Sequence, residues 1–597
     1  MVPDEVLAEH PRPQLVRPTW KSLNGVYDCA IRPAAEGMPD TFDARILVPF
    51  PVESSLSGVA RKVTAADRIW YRRRFCAPPA PAGHQWLLHF GAVDWRADVW
   101  LDGRSIGSHE GGFDSFSFAV GGLGEDHELV VAVWDPTDDG PQPRGKQARK
   151  APLQVRPVFY TPASGIWQTV WLELVPTTYI ESLRLRPSGD ELHVSCILRN
   201  VSGGEQVRLT AASEGRSISV AEASASDETI VLPIAKARHW SPDDPFLYDL
   251  EVELLRNGDV VDRVTSYFGL RDIAIRRDAA GALRFFLNGA PILPHGLLDQ
   301  GYWPDGIYTA PSDAALAFDL EETKRLGFNL VRKHVKVESS RWYWHCDRIG
   351  LLVFQDMPNG DRLTRGIPIG GLGPFEPTRW IGARGIRRTP ESAAIFNREL
   401  DAMMTKLENH PCIIMWVPFN EGWGQFDAAQ TADLVRRRDP SRPVDAASGW
   451  VDPGNGDVRD VHVYYPGPRM PSRPDARRAE VLGEWGGLGL VVDDHRWPRR
   501  PFAYKILKSR EDLEVRYAVQ MAALEKLVER GLAAAVWTQT TDVEGEVNGL
   551  FTYDRDVLKI SSDKLIEWNR RLFATFASVS RPANAACSEP VAQPRPR

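Results

Sequence analysis

Two carboxylates stand where two apolar runs stop. Asn420 and Glu421 close the run in "CIIMWVPFNEGWG", and Glu484 closes a similar run in "AEVLGEWGG". Hydrolysis of a glycosidic bond with retention needs one carboxylic acid to protonate the departing oxygen and one carboxylate to attack the anomeric carbon, about 5 to 5.5 Å apart. The acid needs a raised pKa and the nucleophile must stay ionised. In that scheme Glu421 is the acid/base and Glu484 the nucleophile. The frame that would hold them is an all-parallel barrel. Its strands are buried on both faces, read as unbroken apolar runs, and carry catalytic side chains at their C-terminal ends.

Several neighbours could serve such a pair. Arg332 in "NLVRKHVKVESS" ends an earlier run and could hold Glu484 ionised, or else form an inter-strand ion pair. Asn420 can offer its amide to the hydroxyl beside the anomeric carbon, or cap the next helix. In "DVHVYYPG" alternation puts His462 and Tyr464 on one side and Tyr465 on the other. Tyr464 could donate to the nucleophile or simply pack, and His462 could touch substrate or be a satisfied core histidine. Of the 20 Trp, those at strand ends, Trp303, Trp423, Trp485 and Trp537, could be stacking platforms for sugar rings. Trp537 is the first choice among them.

The elements that must position these residues fall into three textures. From Trp20 to about Pro176, short alternating runs ("IWYRRRF", "ADVWLDG", "ELVVAVWD") separated by Gly, Pro and Asp describe an antiparallel sandwich. The texture continues over 177–272 in a stretch the size of an immunoglobulin-like sandwich. After Asp272, apolar runs alternate with helical stretches. Strands are expected at 293–298, 328–334, 351–356, 412–420, 443–448, 460–465, 480–485 and 533–540, with helices at 313–326, 339–349, 391–409, 426–438 and 512–530. Eight strands in this length predict a (β/α)8 barrel over 273–577, with Glu421 after the fourth strand and Glu484 after the seventh. The Pro-, Ala- and Ser-rich tail, 578–597, is expected to be disordered.

At 597 residues, 43% hydrophobic, 25% charged and a formal net charge of -7, the chain has the composition of an ordinary soluble protein of several domains and lacks a basic nucleic-acid footprint. No run of ~18 apolar residues predicts a membrane span, and no basic-then-apolar leader opens the chain, so a cytoplasmic address is expected. Cys29, Cys76, Cys196, Cys346, Cys412 and Cys587 lack any C-x-x-C pairing and read as reduced core residues. No His cluster of ligand spacing occurs among the 13 His, so no metal and no cofactor is expected.

The ordered set "WVPFNEGWG", "DVHVYYPG" and "LGEWGG", behind two β domains, resembles glycoside hydrolase family 2. "TWKSLNGVYD", "FFLNGAPILPHG" and "NLVRKH" extend the likeness from about Trp20 to Phe573. The resemblance implies a jelly-roll sugar-binding-like domain over 1–176, an immunoglobulin-like domain, a TIM barrel, and exo-acting, retaining chemistry on a glycoside. It also implies that Glu421 is the acid/base with Asn420 as its partner, that Glu484 is the nucleophile, and that Arg332, His334, His462, Tyr464 and Trp537 line the same pocket.

Departures bear on the sugar. The lysine with which the family's β-glucuronidases grip a sugar carboxylate is replaced in "EGEVNGLFTYDR" by Asn548, and "FQDMPNGDR" lacks the metal-ligand pair of metal-dependent β-galactosidases. Asp356 there could bind a cation or be a hydrogen-bonded pocket carboxylate. In "GLLDQGYWPDG", Asp299 could bind hydroxyls and Tyr302 with Trp303 could wall the terminal site, while Asp542, Glu544 and Glu546 give the rim an acidic character. A neutral terminal sugar is the expectation, β-galactoside foremost. The alternatives are a β-glucuronidase, β-glucosidase, α-L-arabinosidase or transglycosylase, and from another class a noncatalytic carbohydrate-binding protein. Exposed sandwich edges would allow a homo-oligomer.

Overall fold

The computed structural model describes residues 6–150, 156–360, 388–421, 424–449, 452–471 and 475–580. The first region is two packed antiparallel sheets. Six strands run in the order Ala44–Val48, Gly25–Pro33, Asp67–Phe75, His127–Trp134, Arg96–Leu101, Arg104–Glu110, and four in the order Trp20–Ser22, Val170–Pro176, His84–Phe90, Phe116–Gly121. Alternate residues such as Tyr27, Cys29, Ile69, Tyr71, Val131 and Val133 turn inward and are buried against Leu88, Phe90 and Leu172 of the facing sheet. The second region repeats the scheme with three and four strands between Tyr179 and Phe268, closed over Leu185, Val194, Leu209 and Val252.

A curled parallel sheet follows. Its order is Ile413–Val417, Leu352–Asp356, Leu330–Lys333, His295–Asp299, Leu532–Thr538, Ala479–Gly486, Val458–Val463. Seven strands therefore form ladders where eight were expected. The stretch 443–448 lies between the two outermost strands, but it makes only a single bridge, Val444 to Trp416. Pro443 has no N–H to give, and the N–H of Val444 is taken by the Asp457 carboxylate at 2.8 Å, so the ladder cannot propagate. Asp445 N donates to Trp416 O at 2.9 Å and Asp457 N to Val444 O at 2.8 Å, which spans the gap without a regular strand.

The expected helices are present as Asp313–Arg325, Ser340–Ile349, Pro390–Leu407, Ala428–Arg438 and Arg510–Glu529. Their starts follow the sequence: Ser509 accepts from Asp512 N, and Glu511 and Asp512 lie in the first turn, where they meet the positive end of the helix dipole. A further helix, Ser562–Ser580, runs into the stretch expected to be disordered, so 578–580 are helical. An antiparallel hairpin sheet, Ile273–Arg277, Leu283–Leu287 and Ala290–Ile292, lies beneath the barrel. Arg284 donates to the carbonyls of Leu532 and Val528 there, and Phe285 packs on Phe354 from inside the barrel.

Among the described residues no disulfide forms. Cys29, Cys346 and Cys412 are buried as expected, whereas Cys76 is exposed and Cys196 half-buried; Cys587 lies outside the described residues. Among the described residues no helix is long and apolar enough to cross a membrane.

Candidate active site

The strand Ala479–Gly486 delivers Glu484, and the chain leaving Ile413–Val417 delivers Asn420 and Glu421. An oxygen of Glu421, an oxygen of Glu484 and a ring nitrogen of His462 all lie within 4.8 Å of one another. His462 Nδ1 is 2.8 Å from Glu421 Oε2 and 3.6 Å from Glu484 Oε1. Room for this meeting comes from Gly449, whose φ of +102° favours glycine and whose Cβ would lie 2.8 Å from that of Glu421. Spacing this short suits direct attack by one carboxylate, whereas an intervening water needs the pair about 6.5 to 9.5 Å apart.

Arg332 is the hub beneath them. Its Nε and Nη2 hold Asp356 at 3.0 and 2.9 Å, Nη2 also donates to Asn420 Oδ1 at 3.0 Å, and Nη1 donates to the Gly483 carbonyl at 3.0 Å. Nη1 lies 3.6 Å from Glu484 Oε1. The fork is thus spent on Asp356 and the charge on Glu484. Asn420, with its carbonyl oxygen fixed, keeps its Nδ2 without a hydrogen-bond partner among the described residues although the residue is fully buried. A second chain of contacts orients His462: Nε2 lies 2.7 Å from Ser448 Oγ, which donates to Asp460, and Asp460 accepts from Gly483 N at 2.5 Å. Neither Ser448 nor Asp460 carries a signal in the sequence beyond lying near the motif.

Protonation follows from these contacts. Burial pushes the Glu484 carboxyl up, but the neighbouring His462, His334, Arg332 and Lys146 groups pull it down harder, to about 2. Burial keeps the proton affinity of His334 well below the usual imidazole range, so at neutral pH the effective cations are His462, Arg332 and Lys146. His334 points Nδ1 at Asp356 from 3.1 Å, and its Nε2, 4.0 Å from Glu484 Oε1, has no hydrogen-bond partner among the described residues. For His462 burial opposes the charge, yet Glu484, Glu421 and Asp460 together raise its proton affinity. Tyr464 donates to Glu484 Oε2 at 2.8 Å and stacks on Tyr504 with ring centroids 3.5 Å apart. Burial, then Glu421 and Glu484, hold its phenol protonated. Glu421, His462 and Glu484 are also the described residues that could converge on a cation, but the raised proton affinity of His462 favours an N–H there over a lone pair.

Other residues named from the sequence do not join this cluster. Trp537 is wholly buried, packs on Trp485 and Tyr517 and offers no free face. The next residue, Thr538, is the one facing Glu484, with Oγ1 3.5 Å from Oε2. Asp299 is likewise turned away: it pairs with Lys333 at 2.9 Å and accepts from Gly301 N at 2.7 Å. Trp303 has Arg555 over its ring at 3.8 Å. Trp423 lies outside the described residues. The acidic rim is largely neutralised, since Asp542 pairs with Lys559 at 2.6 Å and Glu544 pairs with Arg499. Glu546 is held by Tyr160 and by Asn548 Nδ2, and Asn548 Oδ1 accepts from Gln539. Lys146, a loop residue of the first sandwich, is the contributor that reading the barrel alone misses.

Three family models match the chain: "Glycosyl hydrolase 2 galactose-binding domain-like" over residues 56–161, "Glycosyl hydrolases family 2" over 178–271, and "Glycosyl hydrolases family 2, TIM barrel domain" over 284–465. A β-galactosidase of Thermoanaerobacter pseudethanolicus is 26% identical over 66% of this chain and 50% of its own length. A β-glucuronidase of Paenibacillus borealis is 23% identical over 71% of this chain and 72% of its own. The chain thus spans about half the length of the Thermoanaerobacter relative, and 41% of that of a Vibrio cholerae β-galactosidase. Among solved structures, a β-D-glucuronidase of Dictyoglomus thermophilum superposes with a TM-score of 0.70 at 18% identity, covering 94% of this chain and 98% of that one. A Ruminococcus gnavus β-glucuronidase in complex with D-glucuronic acid gives 0.69 at 18%, covering 95% and 100%.

Proposed function

Because this chain belongs to glycoside hydrolase family 2, we propose that it is an exo-acting, retaining glycosidase with Glu484 as nucleophile and Glu421 as acid/base. The observation that carries the reading is the pair of carboxylates within 4.8 Å through His462, together with the cations that hold Glu484 ionised.

Glu484 attacks the anomeric carbon of a terminal sugar, and the bond to the leaving oxygen breaks as Glu421 protonates it. Glu421 and His462, 2.8 Å apart, hold between them the proton that is delivered. The product of this step is a glycosyl ester on Glu484. A water then gives its proton back to Glu421 and attacks the same carbon, releasing the sugar with its configuration retained. Asn420 Nδ2 and His334 Nε2, both buried and without hydrogen-bond partners among the described residues, supply a donor and an acceptor for ring hydroxyls.

The terminal sugar has two readings, a β-galactoside and a β-glucuronoside. Asn548 in place of a cation supports the neutral sugar. The acidic rim, which also spoke for it, loses weight because Asp542 and Glu544 are paired. The charge of Lys146 beside Glu484 supports the acidic one. A panel of nitrophenyl glycosides (β-galactoside, β-glucuronide, β-glucoside, α-arabinoside) run beside Glu484→Gln tests the proposal. Turnover that vanishes in the variant is expected, and turnover that survives intact in Glu484→Gln sinks the mechanism.

A further inference from the structure

His462 turns one ring nitrogen to the two reacting carboxylates and the other to a serine. Nδ1 is 2.8 Å from Glu421 Oε2 and 3.6 Å from Glu484 Oε1, and Nε2 is 2.7 Å from Ser448 Oγ. Two glycines make room for this chain of groups. A Cβ on Gly449 would come within 3.0 Å of Nδ1, and one on Gly483 would overlap the Asp460 carboxylate. Ser448, Asp460 and His462 are all buried, so each finds its partners within the chain rather than in bulk water.

The direction of each hydrogen bond follows from the far end. Asp460 Oδ1 accepts from Gly483 N at 2.5 Å, and Oδ2 takes the Ser448 hydroxyl. Asp445, beside Asp460, is held protonated by burial and by the Asp460 charge. With its one hydrogen spent on Asp460, Ser448 can only accept from His462, so Nε2 carries a proton. Arg332 Nη1 also approaches Nε2, at 3.4 Å, but it is given to the Gly483 carbonyl at 3.0 Å. Nδ1, opposite two carboxylates, is where a second proton belongs, in keeping with the raised proton affinity of the ring. Also near the ring are Asp356 and His334 beside Arg332 and, on its own strand, Tyr464, whose hydroxyl is given to Glu484. His462 is thus an imidazolium with two unequal protons, one pinned to the serine and one shared with Glu421.

We propose that His462 is the proton reserve of the acid/base, with Nδ1 supplying through Glu421 the proton that the leaving oxygen takes, and that Ser448 and Asp460 are positioning residues that keep the other proton on Nε2. The inference rests on the retaining-glycosidase reading above and deepens it. As the bond from the anomeric carbon to the leaving oxygen breaks and the bond to Glu484 forms, that oxygen takes a proton from Glu421, and Glu421 draws the one on Nδ1. The ring is left neutral, with its lone pair at Nδ1. In the second step water bonds to the anomeric carbon as the ester bond to Glu484 breaks, and the water's proton passes to Glu421 and on to Nδ1, which restores the imidazolium. Asp460, acting through Ser448, sets the tautomer, so that the proton given is the one facing Glu421. Asp460→Asn reverses the chain: the amide oxygen stays on Gly483 N, Nδ2 donates to Ser448 Oγ, and the hydroxyl turns to Nε2, which then has no place for a proton.

The test is nitrogen-15 spectroscopy of the full chain labelled at histidine, with His462→Gln to identify the signal among the 13 His and melting temperatures to establish folding. The wild type should titrate above 6.5 and carry Nε2–H in its neutral ring. Asp460→Asn and Ser448→Ala should lower that midpoint by about one unit or more, and Asp460→Asn should move the neutral ring's proton to Nδ1. A midpoint unmoved in both variants, or a wild-type neutral ring with Nδ1–H, overturns the proposal. On the glycoside that the chain turns over, kcat/KM of both variants should fall about tenfold at about pH 8 and stay within about threefold at about pH 5.5. An equal loss at both would mean that Ser448 and Asp460 hold structure alone, and overturns it. So would activity that EDTA removes and a divalent cation restores, since Nδ1 would then be a lone pair on a metal. Full turnover in Glu484→Gln would instead fail the retaining reading, and the spectra, which need no turnover, then decide the role of Ser448 and Asp460 by themselves.

Discussion

Arg332 and Lys333 are neighbours on one strand, carry the same charge and are equally buried, yet one belongs to chemistry and the other to architecture. Arg332 faces the barrel interior with Asp356, Asn420 and Glu484. Lys333 faces the helix layer, where it meets Asp299 at 2.9 Å and Glu338 at 3.1 Å above the Trp342 ring, and Lys336 completes the set with Glu338 at 2.7 Å. Among the described residues the outer cluster leaves none of its buried polar atoms without a hydrogen-bond partner, whereas the inner one leaves Asn420 Nδ2, His334 Nε2 and Glu484 Oε1 without one. Saturation marks a group that holds structure. Within the inner cluster the unmet atoms lie around the two carboxylates, where the ring hydroxyls of a bound sugar would meet them under the proposed mechanism.

Five substitutions or conditions would break or sharpen that contrast. Glu484→Gln removes the inner nucleophile and should lower kcat by about 10⁴-fold or more in steady-state assays. Arg332→Lys keeps the charge but loses the fork that joins Asp356, Asn420 and Gly483, and kcat should fall about 10²- to 10³-fold. A loss under tenfold would move Arg332 to the architectural side. The pH profile comes next. The carboxylates around His462 raise its proton affinity above the ordinary imidazole value of 6.5, so kcat/KM should hold to that point and then fall about tenfold per unit as pH rises. Glu484 stays ionised well below 4.5, so no comparable loss is expected just under neutrality. Asp460→Asn, by removing a charge that raises His462, should shift the alkaline limb to lower pH. Smallest of all in turnover is Asp299→Asn in the outer cluster: activity per folded molecule should stay within about twofold while denaturant unfolding shows a loss of about 3 kcal/mol.

Much of this arrangement is legible in the sequence, because a parallel barrel writes its strands as apolar runs and a polar residue ending such a run has few other reasons to be there. Glu421, Glu484, Arg332 and His462 were read that way. Asp299 and Trp537 were put on the wrong face, since a strand end located to within one residue leaves the side undetermined. The register pairs Asp299 with Lys333 and Trp537 with Trp485, all turned outward, while Thr538 takes the inward place. The stretch 443–448 looked like a strand by composition, but Pro443 has no N–H to give and the N–H of Val444 goes to the Asp457 side chain, a contact that composition does not signal. Lys146 was illegible for a different reason. Nothing in "RGKQARK" separates a surface loop from one pressed into another domain's pocket, and that distinction exists only once the domains are packed.

Gly145 carries a consequence for the history and the engineering of such enzymes. A side chain there would collide with the Val335 carbonyl, so the loop reaches the barrel only when this residue is glycine. Exchanging the first domain for another would thus keep this loop against the strand end that carries Arg332 and His334 only if the incoming domain has a glycine at this contact. A domain that lacks it would have to meet the barrel by another path, and the charge that Lys146 lends to Glu484 would leave with the displaced loop.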